Sequence, residues 1–197
     1  MIRIILFATL IAAPALAAGP VDPDWPCVQR RQPQLSIGQV WSGPPPDDAT
    51  TVLAGTPAVQ DVARIIALRR TGIDQATAMI DAFAAAQDDA ALVALFVATF
   101  DHVQSQRNRV MEGITRYAHK QEALDSHINA MRHDFATLSA APSPDFDAID
   151  KAEEDIDWST RIFQDRQQSL TYVCEVPVIL EQRIFALGRT IAGHLTD

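Results

Sequence analysis

Cysteine is nearly absent from this chain: among 197 residues there are two, Cys27 and Cys174. Neither sits in a CxxC or CxxCH pattern, so thiol–disulfide exchange and covalent haem attachment have no support. Catalytic signatures are missing as well. No GxSxG, HExxH, Walker or dinucleotide-binding pattern occurs, and the serines and histidines show no spacing that suggests a triad. Lysine is scarce, two residues against fourteen arginines, and acid outweighs base to give a formal charge of −9. That balance disfavours non-specific nucleic-acid binding and docking on anionic lipid. The apolar run Ile4–Ala13 is about ten residues, too few to span a bilayer.

What is present begins with "MIRIILFATLIAAPALAAGP". Arg3, the apolar Ile4–Ala13 and the small-x-small Ala15-Leu16-Ala17 form an export signal over residues 1–18, with no cysteine at its end to carry lipid. Its removal takes one positive charge, leaving 15 basic and 25 acidic side chains. The expected location is therefore the periplasm or the exterior, with no stable membrane insertion after cleavage. In that oxidising setting two cysteines most simply form one disulfide, Cys27–Cys174. The bond would tie an extended leader segment to a helical body; two free thiols are the alternative.

Residues 19–57 are rich in proline and lack periodicity. They are expected to form an irregular strap, with "SGPPPDDAT" as a flexible turn or linker. Residues 58–197 form a helical domain. Thr56-Pro57 starts a first short helix that Gly72 ends, and Asp74 is the expected cap of a second. A long helix then carries a seam from Leu92 through Phe96, Thr99, Val103, Gln106, Val110, Ile114, Tyr117, Gln121, Leu124, Ile128, Met131 and Phe135 to Leu138. After "SAAPSPD" another long helix carries its own seam from Phe146 to Leu195 and must bend at Pro177. Each is roughly 75 Å long.

The fold expected is all-α: a long antiparallel hairpin with a coiled-coil arm, and two short helices completing a four-helix bundle at one end. Leu138 is set beside Phe146, which brings Arg116, His119, Lys120, His127, Arg132 and His133 alongside the acidic residues between Asp147 and Asp157. Opposite charge is expected to favour that register.

Two clusters invite metal chemistry. His119 with Glu122, and His127 with Met131, share helix faces at ligand spacing, although they also alternate with charged residues as a solvated face does. "DFDAIDKAEEDID" packs seven carboxylates into thirteen residues but lacks the glycine and spacing of an EF-hand loop. No cofactor is expected. Trp158 falls at the outward point of the heptad, either as an exposed contact anchor or as a residue covered by the strap or a short helix. With Phe163 and Tyr117 it makes the candidate partner-binding set.

These features point to an exported, non-enzymatic helical protein acting by protein–protein contact, as an adaptor or scaffold in a bacterial envelope. Its partner would be another envelope protein or a second copy of itself. A periplasmic metal-responsive or stress-protective, chaperone-like hairpin is the alternative.

Overall fold

The computed structural model describes residues 22 and 24–196, so the export signal lies outside the described residues. Six helices and no strand occur among them: α1 (Ile37–Val40), α2 (Asp48–Ala54), α3 (Pro57–Ile66), α4 (Ile73–Ala84), α5 (Asp89–Ser139) and α6 (Phe146–Ala192). The protein is all-α, and its spine is the antiparallel pair α5 and α6, 51 and 47 residues long.

Local chemistry sets most of the boundaries. The Asp88 carboxylate accepts the Ala91 amide at 2.9 Å and the Asp145 carboxylate accepts the Ala148 amide at 3.2 Å, so both long helices start on aspartate caps. Pro57 occupies the first turn of α3, but the Thr56 hydroxyl turns back to donate to the Leu53 carbonyl. Two expectations are corrected here. Helix α3 ends at Ile66 rather than running on to Gly72, and Gly72 itself occupies the cap of α4, leaving Asp74 inside the first turn. There its charge still favours the positive end of the helix.

The segment expected to be irregular also differs. It holds α1 and α2, and its supposed linker is an ordered helix start. Asp47 accepts both the amide and the hydroxyl of Thr50, at 2.8 and 2.7 Å, which nucleates α2 directly after three prolines. The apolar signal in "TTVLA" is too short to register as periodic, and the capping aspartate was hidden in a proline-rich context.

Broad burial follows from this added helix. Every residue from Ala91 to Phe100 is buried, because α2 and α3 pack on α5 while α4 packs on α6. Trp41 stacks on Phe96 with ring centroids 4.1 Å apart, sealing the core from the α1 side. The backbone of α1 comes so close to α6 that a methyl group built on Gly188 would lie 2.7 Å from the Val40 carbonyl oxygen and 3.1 Å from the Phe96 ring. Alanine there gains about 1 kcal/mol of helix propensity but forces a backbone to move. Gly188→Ala is therefore expected to lower stability by about 1–3 kcal/mol net, as overpacking does. Urea unfolding checks it; an unchanged or raised midpoint would show that α1 is not held in place.

Residues 24–40 lie along one groove between α5 and α6, running opposite to α5. The Asp24 carbonyl accepts the Thr115 hydroxyl, and Trp25 is buried against Met111 and Ile114. Cys27 is bonded to Cys174 with Cα atoms 5.5 Å apart, the Leu35 amide donates to Gln104 at 3.2 Å, and Val40 joins the main core. The expected disulfide is thus the midpoint of a longer attachment.

Candidate interaction surface

Beyond the strap the hairpin continues as a two-helix arm. Its register is the expected one. Gln121 donates to the Phe163 carbonyl at 3.2 Å, and the Tyr117 hydroxyl donates to the Arg166 carbonyl at 2.7 Å. Burial pushes the Tyr117 phenol above its usual range, with the nearby Arg166 opposing that shift.

The reason offered for the register is corrected. Among the described residues no ion pair joins the two helices within the arm; Arg116 pairs with Glu112 and Lys151 with Asp155, each along its own helix. The α5 stretch taken as basic also contains Glu122, Asp125 and Asp134, so it offers α6 little net charge. The seam and the short Pro-Ser-Pro turn hold the arm.

That seam is imperfect. Ile128 is buried, but Leu138 and Phe146 at the tip are exposed, Phe146 at 71%. The seam also shifts nearer the bundle, where Arg107, Met111 and Ala118 are buried instead of Gln106, Val110 and Tyr117, which are only half-buried. The Gln121 Oε1 and Thr160 Oγ1 atoms are buried without partners. An unsatisfied buried acceptor costs about 1–3 kcal/mol. Gln121→Leu should therefore raise the thermal midpoint by several degrees, since 1 kcal/mol is worth about 2–4 °C in a domain of this size. A lower midpoint would mean that the Gln121 amide bond to α6 outweighs its buried oxygen.

The candidate partner-binding residues divide. Trp158 is 62% exposed and no strap or short helix covers it. It projects among Asp150, Glu153, Glu154, Asp155, Asp157 and Arg161, which together line a shallow acidic concavity. Phe163 is half-buried at the interhelical seam, and Tyr117 is fixed to the α6 backbone.

The metal candidates do not converge. The His119 Nε2 lies 2.6 Å from the Asp24 carboxylate and so anchors the strap, while Glu122 and His127 are exposed farther along α5 and Met131 is half-buried. Among the described residues no group of three or more His, Cys, Asp or Glu side chains is arranged so that it could hold a metal ion.

Two features were not visible in the sequence. Arg107 is almost fully buried. Its guanidinium bonds Glu181 of α6 at 2.7–2.9 Å and donates to the carbonyls of Pro33, at 3.2 Å, and Gln32. The second is an open groove on the side of the hairpin that the strap leaves bare. Val110, Gly113, Tyr117, Val173, Val176 and Leu180 line it, with Arg69 and Arg109 at the rim, around a volume of about 510 Å³. Gly113 leaves its floor open, and Pro177 contributes too: having no N–H, it frees the Val173 carbonyl of its helical partner. No protein-family model, curated protein or solved structure matches the chain.

Proposed function

We propose that the protein is an exported, non-enzymatic adaptor or scaffold that acts in the bacterial envelope through protein–protein contact, with the outer face of its arm as the contact surface. The observation that carries this reading is Trp158. A large aromatic side chain left 62% exposed on a long helix is costly to keep in water and is the residue type most enriched at interface hot spots. The N-terminal signal pattern supports export, and the Cys27–Cys174 bond is compatible with an oxidising compartment. No described helix is long and apolar enough to cross a membrane.

Trp158→Ala tests the reading. It should leave helical content and melting temperature nearly unchanged while weakening the complex by about 2 kcal/mol, a typical hot-spot loss. Photo-cross-linking from position 154 in living cells, with and without the substitution, identifies the complex. Loss of folding in Trp158→Ala would make Trp158 a core residue. Turnover of a substrate in an unbiased activity screen would overturn the non-enzymatic assignment.

A further inference from the structure

We infer that the partner of the Trp158 face is a second copy of this chain, the tryptophan of each copy entering the open groove of the other. The inference rests on the reading of the arm as a contact surface and goes further by naming the occupant.

Its first support is placement on one helix. Trp158 and Val176 are separated by about five whole turns, so they share a face of α6 about 27 Å apart. A two-fold axis crossing α6 midway, near Gln167, exchanges the two positions. Each groove then receives the partner copy's Trp158, and every contact is made twice, as closed two-fold symmetry requires. The same axis sets Ile162 opposite Tyr172, so an apolar pair meets at the crossing. Tyr172 is 74% exposed in the single chain.

Charge is the second support. One turn before Trp158, Glu154 and Asp155 flank it on the same face, Asp155 also meeting Lys151 of its own helix at 3.2 Å; the groove that would receive it is rimmed by Arg69 and Arg109. Among the described residues neither arginine has an ion-pair partner, and Arg109 bonds only the Ser105 hydroxyl, at 3.0 Å. Anchor and groove are thus complementary in both polarity and sign, which steers association and fixes its orientation. A third consideration is the apolar floor. The opposite groove of the same hairpin, at the same level along α5, is filled by Trp25 of the strap against Met111 and Ile114. This hairpin accommodates one indole there already.

Sedimentation equilibrium on the purified, disulfide-bonded protein is the test. A concentration-dependent dimer is expected. Trp158→Ala should raise its dissociation constant about 30-fold, and R69E/R109E or E154R/D155R should each weaken it by at least about 10-fold. Combining all four reversals should return it to within a few-fold of the parent. Those five positions lie at the surface; circular dichroism confirms that each variant folds, and the charge set decides should the tryptophan variant melt. A protein that stays monomeric, or a dimer indifferent to both the tryptophan and the charge reversals, overturns the inference. A monomer whose complex with a different envelope protein is still weakened by Trp158→Ala would refute self-association while leaving the adaptor reading in place.

Discussion

Replacing Arg107 with methionine is expected to destabilise the protein by about 3–5 kcal/mol, the range measured when one partner of a buried charge pair is removed. The side chain is 2% exposed, and it serves three segments at once: α5 from which it projects, α6 through Glu181, and the strap through two backbone carbonyls. Methionine fills much of the volume but donates nothing. Glu181, still 30% exposed at its side chain, can regain water, whereas the Gln32 and Pro33 carbonyls lose their charged donor. The loss should be seen mainly as a lower urea midpoint in the disulfide-bonded protein. Arg107→Lys should recover only part of it, because one ammonium cannot span a carboxylate and two carbonyls as the guanidinium fork does. If methionine proves neutral or stabilising, as apolar replacements of whole buried ion pairs sometimes are, then Trp25, the disulfide and the contacts of Asp24 and Leu35 hold the strap without Arg107.

Arg107 also shows where sequence reasoning stops. The apolar period along α5 and α6 was enough to reveal two long helices, their antiparallel pairing and the need for extra helices around Leu92–Val103. It also located the register, which Gln121 and Phe163 bear out. A buried arginine leaves no such trace, since its partners are a glutamate on a distant helix and carbonyls that any residue possesses. The seam accordingly was placed one position off at Gln106 and Val110. Helix α2 leaves no period in its seven residues after a triple proline, and the cap of α4 falls two positions before Asp74, at Gly72, which makes no side-chain cap bond. Charge pairing in the arm failed for a different reason. Summing like charges along one helix ignored the acids between them and the fact that exposed ion pairs do little to fix geometry. For Trp158 the heptad position left two readings open, exposed or covered by the strap or a short helix, and the side chain is exposed. The open groove could not have been inferred: it depends on which side of the hairpin the strap occupies, and no pattern in residues 19–57 encodes that choice.

Substituting both Cys27 and Cys174 with serine is the other large effect expected, and it bears on how the strap works. The bond closes a loop of 147 positions, for which the chain-entropy model gives about 5 kcal/mol of stabilisation through the unfolded state, with measured losses of about 2–5 kcal/mol on removal from small exported domains. The folded state should change little. Trp25 remains buried, Asp24 keeps its contacts to Thr115 and His119, and Arg107 keeps the Gln32 and Pro33 carbonyls. The prediction is therefore a marked drop in unfolding free energy with near-native tryptophan fluorescence and helical content below the transition. Arg107 and the disulfide grip the strap on either side of Gln29, so they should be coupled. Once Cys27 is free, losing Arg107 lets the whole segment from Trp25 to Leu35 detach. The doubly altered protein should lose more stability than the two single losses added together, by about 0.5–3 kcal/mol, as residues sharing one structural element do. Simple additivity would show two independent attachments. Loss of fluorescence in the disulfide variant alone would show that the bond, rather than the Trp25 pocket, keeps the strap in the groove.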